Sequence, residues 1–380
     1  MMDMEKDLRQ EILSKTRRVV VKVGTAVLSD RAGALDEERI SSLAEEVARL
    51  RDRGYLVALV TSGAIGAGLK ELALKKRPKD LPRLQAAAAV GQSLLMRLYN
   101  ESFLRHGYHS AQMLLTRDDF DDRRRYLNAR NTLHTLLEMS AIPVINENDT
   151  VSTEEIKFGD NDMLSALVAN LLDAELLIIL TDVPGVFRPG ESRPLKVVES
   201  ITEEVRAFAT GEISRGGTGG MDSKLDAASI AISAGCAVII ASGKDRRILE
   251  GIFSGESVGT LILPRRSRLS SRKRWIGLST KPRGRLVVDE GARLALVQRG
   301  KSLLASGLAA VAGDFEEGDV VSIADRSGTE FARGLSNYSS RDCEKIRGKK
   351  SAQIASLLGT KLFDEVVHRD NLVILKTSRE

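Results

Sequence analysis

Between residues 18 and 242, short apolar runs alternate with longer stretches in which apolar positions recur every three or four residues. The runs are RVVVKVG (18–24), YLVALVTS (55–62), SAQMLLT (110–116), IPVINEN (142–148), ELLIILTD (175–182) and CAVIIAS (236–242). Continuous Val/Ile/Leu runs bounded by turn residues predict strands buried on both faces, and the 3.6-residue period predicts helices at about 36–53, 84–106, 123–139, 161–172 and 221–234. Strands separated by helices predict an α/β fold, a mainly parallel sheet covered on both faces. Open sheets of this kind bind ligands beyond the carboxyl ends of their strands, so the residues that follow each run are the places to search.

From about Arg283 the rhythm changes. GRLVVDEGARLALVQRGKSLLASGL and EEGDVVSIADRSGTEFARGLSNYSS set short strands among Gly, Asp and Ser turns, which predicts a small β-rich domain. The predicted division is 1–264 for the α/β domain, 265–283 for a basic linker, 284–360 for the β-rich domain and 361–380 for a C-terminal extension.

Composition narrows the class. Of 380 residues 42% are hydrophobic and 29% charged, the balance of an ordinary globular protein. No apolar run approaches the roughly 20 residues of a membrane span, and the N-terminus lacks the apolar core of a secretory signal. Two cysteines, Cys236 and Cys343, exclude a disulfide framework and read as free thiols of a cytoplasmic protein. The net charge of +5 is uneven: residues 265–274 (RRSRLSSRKR) carry six positive charges and no negative one, and from Lys281 onward 17 basic residues face 14 acidic ones. The first two-thirds is therefore mildly acidic, and the basic run reads as a solvated linker or a phosphate-binding patch.

Candidate chemistry gathers at the strand ends. Lys22 lies inside an apolar strand, where an ammonium is costly without an anionic partner. After the second strand comes TSGAIGAG (61–68), whose GxxGxG spacing differs from the dinucleotide GxGxxG. The fourth run ends in Asn146-Glu147-Asn148-Asp149, and Phe158-Gly159-Asp160-Asn161-Asp162 opens the next helix, more acids and amides than capping requires. Thr181 and Asp182 follow the fifth strand. The loop GGTGG (216–220) runs into Met221-Asp222-Ser223-Lys224, offering backbone N–H groups, a helix N-terminus and a cation that together suit a polyphosphate. The P-loop pattern GxxxxGK[ST] is absent.

Six segments in order, KVGTAVL, VTSGAIGAG, INENDTV, FGDNDMLSA, TDVPGVF and GTGGMDSK, resemble the amino acid kinase family, and within it the branch that acts on glutamate. Residues 284–360 resemble a PUA domain, a small β-rich module. The resemblance implies an αβα sandwich and transfer of the γ-phosphoryl group of ATP, with Mg2+, to the side-chain carboxylate of L-glutamate. It implies that Lys22 and Lys224 are the catalytic cations and that Asp162 holds both. Ser62, Asp149 and Asn161 would bind glutamate, Asp149 at the substrate ammonium and Ser62 and Asn161 at its carboxylates. Lys22, Thr181, Asp182, Thr218, Gly219, Gly220, Met221, Asp222, Ser223 and Lys224 would contact ATP, and no protein ligand is assigned to the metal. Proline as feedback inhibitor, glutamyl phosphate reductase as pathway partner and a homodimer or homotetramer are further implications. Two alternatives stand beside this reading: a sibling such as acetylglutamate kinase, and an RNA-binding protein working through the PUA-like domain. Against RNA, the chain after Trp275 offers only Phe315, Phe331, Tyr338 and Phe363 for stacking.

Overall fold

A computed structural model describes residues 2–30, 33–74, 76–152, 161–209, 220–265, 273, 275–359 and 363–375. Three sets of expectations lie outside them: Phe158, Gly159 and Asp160 of the FGDND segment, Gly216 to Gly219 of the glycine-rich loop, and most of the basic run 265–274. The chain divides into two compact units, Met1–Arg268 and Leu269–Glu380.

The first unit holds an eight-stranded sheet in the order β3-β4-β2-β1-β5-β7-β8-β6. Its strands are β1 (Arg18–Val23), β2 (Leu56–Val60), β3 (Ser110–Leu115), β4 (Ile142–Glu147), β5 (Leu176–Thr181), β6 (Val197–Val198), β7 (Ala237–Ser242) and β8 (Thr260–Ile262). The six long strands are the six expected ones, and they run parallel. Only β8 opposes its neighbour β7, and β6 lies parallel to β8 at the sheet edge.

Eleven described helices surround this sheet: α1 (Met2–Lys15), α2 (Thr25–Leu28), α3 (Glu37–Asp52), α4 (Ala64–Glu71), α5 (Leu81–Leu104), α6 (Asp118–Asp121), α7 (Arg123–Glu138), α8 (Asn161–Leu172), α9 (Glu203–Ala207), α10 (Met221–Ser233) and α11 (Ile248–Phe253). The central strand β1 has Val19, Val20, Val21 and Val23 fully buried, as two covered faces require. Among the described residues no helix is long and apolar enough to cross a membrane.

Three local features place the site. Asp36, Asp80 and Asp122 cap α3, α5 and α7, each accepting a backbone N–H three residues on. Helices α4 and α5 meet backbone to backbone: a Cβ at Gly68 would fall inside the carbonyl of Ala87, and one at Gly91 inside that of Ala64. Gly68, the last glycine of TSGAIGAG, thus serves helix packing. Finally α1, where no element was expected, is tied down by Arg9. Its buried guanidinium donates to the carbonyls of Val258 (2.9 Å), Lys196 (3.1 Å) and Gly259 (3.1 Å), beside the short strands β6 and β8.

The second unit holds a five-stranded sheet of order β10-β9-β11-β12-β13, with β9 (Gly284–Val288), β10 (Leu308–Gly313), β11 (Val320–Ala324), β12 (Glu330–Leu335) and β13 (Leu372–Ile374). Only β9 and β11 pair in parallel. Leu286, Val321, Ile323, Phe331 and Ile354 belong to a core of its own, with helices α12 (Glu290–Arg299), α13 (Ser340–Ile346) and α14 (Ile354–Leu358).

Candidate active site

Lys22 is the penultimate residue of β1, and a parallel neighbour flanks it on each side, paired at Val60 and Ile179. Its side chain is 6% exposed, so an ionised ammonium here needs a counter-ion. Asp162, in the first turn of α8, supplies it: Lys22 Nζ lies 2.5 Å from Asp162 Oδ1. The other oxygen of the same carboxylate takes a second cation, Lys224 Nζ at 3.1 Å, from the first turns of α10. The carboxylate is wholly buried and each lysine nearly so. Two ammonium groups share one carboxylate at a place shielded from water, where charge interactions are strong.

The start of α10 completes this side. Ser223 Oγ lies 3.3 Å from Asp162 Oδ2 and 3.0 Å from the carbonyl of Gly220 and can donate its one hydrogen to either; that carbonyl also accepts from Lys224 Nζ (3.4 Å). Gly220 is the N-cap and brings no side-chain cap. The first turn of a 13-residue helix therefore opens next to Lys224, an arrangement suited to an anion. Met221 stands in that turn, while Asp222 is two-thirds exposed and 3.8 Å from Arg206 Nη1. Gly24, after β1, also borders the pair: a Cβ there would lie 3.7 Å from Lys22 Nζ.

On the next strands, β2 and β4 end side by side, with Thr61 N–H donating to the carbonyl of Ile145 at 2.9 Å. Ser62 follows β2, and Gly63 turns the chain into α4 with φ +99, a backbone conformation that favours glycine. Asn161, beside Asp162 on α8, reaches across to this end. Its Nδ2 lies 2.7 Å from the Thr61 carbonyl, 2.9 Å from Ser62 Oγ and 2.9 Å from Asn146 Oδ1. Asp149 is half-buried in the turn that follows β4. At the end of β5, Thr181 Oγ1 donates to Asp182 Oδ1 at 3.1 Å, and the Thr181 carbonyl accepts from Gly243 at 2.7 Å.

The structure thus brings Lys22, Asp162, Ser223 and Lys224 into direct contact, and joins Ser62 to Asn161 one residue from Asp162. Two neighbours, Gln92 and Tyr99, escaped the sequence reading. Asn146 and Gln92 are buried and hydrogen-bonded to each other, and Thr61 shares a 3.1 Å hydrogen bond with Tyr99, whose phenol burial pushes up to about 12. The signal for Gln92 was present: it falls between Ala88 and Leu95 on the apolar stripe of α5, where a polar side chain needs a partner.

The chain is similar to known proteins over most of its length. Residues 17–242 match the amino acid kinase family and residues 284–358 the PUA domain. The chain belongs to the amino acid kinase family. Within it, the chain is 50% identical over 364 residues to the glutamate 5-kinase of Caldanaerobacter subterraneus subsp. tengcongensis, covering 94% of this chain and 98% of that one. It is 49% identical over 376 residues to the glutamate 5-kinase of Syntrophus aciditrophicus, covering 98% and 97%.

Proposed function

We propose that this protein transfers the γ-phosphoryl group of ATP to the side-chain carboxylate of L-glutamate, giving glutamyl 5-phosphate, the step that commits glutamate to proline synthesis. Full-length similarity to glutamate 5-kinases supports the reaction, and the observation that carries its mechanism is the Lys22–Asp162–Lys224 cluster. A glutamate carboxylate has a pKa of about 4.3, so the nucleophile is already ionised and no general base is needed. The obstacle is repulsion between anions, roughly 4 kcal/mol for each pair of unit charges at about 4 Å and an effective dielectric of 20. Phosphoryl transfer is accelerated mainly by positioning and by cations set against that charge.

Lys22 and Lys224 supply such cations, and Asp162 holds both in place before substrate arrives. Ser62, Asp149 and Asn161 bind glutamate; Thr181, Asp182 and the segment from Thr218 to Lys224 bind ATP. The two lysines occupy both oxygens of Asp162, which fits a Mg2+ ion carried by the nucleotide phosphates, where it would neutralise charge. Proline resembles glutamate closely enough to compete for part of its site as a feedback inhibitor. The acyl phosphate product hydrolyses readily, which favours a glutamyl phosphate reductase as its recipient. Within this reading residues 1–264 form the catalytic domain, 265–283 join it to the PUA domain at 284–360, and 361–380 extend beyond it.

An ATP- and magnesium-dependent hydroxamate assay tests the reading, with glutamate, N-acetylglutamate and aspartate side by side. Hydroxylamine traps acyl phosphates, and signal is expected with free glutamate alone. Signal only with N-acetylglutamate would move the activity to the sibling kinase.

A further inference from the structure

Behind Ser62 three amide side chains form a hydrogen-bonded row, and the backbone fixes its direction at two places. The N–H of Glu147 can only donate, and it lies 2.9 Å from one amide atom of Asn146, which is therefore the oxygen Oδ1. Asn146 Nδ2 then faces Gln92 at 2.9 Å, so the Gln92 atom there is Oε1. The carbonyl of Thr61 can only accept, and it lies 2.7 Å from Asn161, so that atom is Nδ2, which also meets Asn146 Oδ1 at 2.9 Å. The two assignments start from different strands and agree.

The direction has a consequence at each end. Gln92 Nε2 and Asn161 Oδ1 are buried and have no hydrogen-bond partner among the described residues. Gln92 is 9% exposed and Asn146 2%, so water does not freely replace either contact. Ser62 Oγ accepts from Asn161 Nδ2 at 2.9 Å, which leaves the serine hydrogen to be donated elsewhere. The site end of the row therefore offers one acceptor, Asn161 Oδ1, and one donor, the Ser62 hydroxyl.

We propose that Gln92 is a positioning residue: it holds Asn146, and through it Asn161, so that Asn161 presents a carbonyl oxygen and the site demands a hydrogen-bond donor there, the protonated α-amine of the substrate. This rests on the reading of the site as a glutamate site. It also changes the role expected for Asn161, which the resemblance paired with a carboxylate. Without the Gln92 acceptor, Asn146 can rotate and Asn161 loses the partner that holds its orientation. A second residue of the same helix, Gln85, braces the loop after β4 by donating to the Ser152 carbonyl at 3.1 Å.

Two substitutions separate positioning from structure. Gln92→Met removes the acceptor together with an already unpaired donor, and Gln92→Glu keeps an oxygen facing Asn146. With Gln92→Met the KM for glutamate and its Kd from thermal shift are expected to rise about tenfold, with KM for ATP and the melting temperature little changed. Gln92→Glu is expected to return glutamate affinity to within about threefold of wild type. Should Gln92→Met not fold, Gln92→Asn withdraws the same oxygen and carries the same expectation. Unchanged glutamate affinity, equal loss for both substrates, or a Gln92→Glu variant as weak as Gln92→Met would each overturn the proposal. A wild type that binds glutamate without phosphorylating it would fail the kinase reading and leave this comparison intact. A wild type that binds no glutamate would sink both.

Discussion

Asp162 makes two ion pairs with one buried carboxylate, so its neighbours are not equivalent to surface lysines. A surface pair is worth about 0–1 kcal/mol, whereas stripping a buried charge of its partner costs several times that. Lys224→Ala removes one of the two cations and leaves Asp162 still paired with Lys22. It is expected to lower kcat on the order of a hundredfold or more, with KM for glutamate changed by less than about threefold. Near-wild-type turnover in steady-state assays would refute the role of Lys224. Asp162→Asn removes the carboxylate that both buried ammonium groups share, so it is expected to lower both turnover and thermal stability. A variant that loses turnover but melts as wild type would show that the pair orients the lysines without supporting the fold.

At the scale of elements, α4 and α5 illustrate how packing can reverse a local preference. Replacing a mid-helix glycine by alanine normally gains about 0.5–1 kcal/mol. At Gly68 or Gly91 the new methyl would meet backbone carbonyls that cannot move aside, and overpacking costs up to about 3 kcal/mol or more. Both substitutions are therefore expected to lower the urea midpoint, and an increase would mean that the helices separate freely.

Helix α11 shows a different dependence. Its N-cap, Arg247, makes no side-chain cap; Glu46 of α3 takes its place and accepts the N–H groups of Leu249 (2.7 Å) and Glu250 (3.2 Å). Burial pushes this carboxyl up to about 7, against the two hydrogen bonds and Arg39, whose Nη1 lies 3.8 Å away. A carboxyl raised above its unfolded value binds its proton more tightly in the folded state, so that contribution to stability is complete below about pH 4.5 and is lost as pH rises through about 7. Melting temperature is expected to fall between those limits more steeply in wild type than in Glu46→Gln. Identical slopes would remove Glu46 from the account.

The six long strands were legible because each combines β-branched composition with burial on both faces. Strands β6 and β8 were not, being two and three residues long and held partly by side chains: Thr260 Oγ1 donates to the Leu195 carbonyl (2.6 Å) and accepts from Val186 (2.9 Å). Helix α1 was missed because its alternating charges hide the two apolar residues that pack on the core, Ile12 and Leu13, and because Arg9 anchors it through a side chain.

Over the whole molecule, the described candidate site residues all lie in the unit Met1–Arg268, and the second unit has its own sheet and core. A chain ending at Arg268 is therefore expected to keep ATP-dependent acyl phosphate formation, read by the same hydroxamate assay. Loss of activity from a folded truncation would give the PUA domain a part in catalysis. The chemistry-bearing residues were legible individually, because lysine in an apolar strand and clustered acids and amides at strand ends are unusual. Their grouping was implied only by the family resemblance and not by the residues' own chemistry, since pairing Lys22 with Lys224 through Asp162 depends on which strand ends the sheet order sets side by side.

That grouping also bears on how the chain folds. Asp162 meets a lysine from the first strand and another 62 residues further along, so the cluster joins three segments that lie far apart in the chain. Closing such long loops is slow compared with forming local helices. Helical signal should return early during refolding from urea, while the capacity to bind nucleotide returns only with the last phase. The two lysines then meet their shared counter-charge once β1, α8 and α10 are all in place, and no partly folded chain carries a working site.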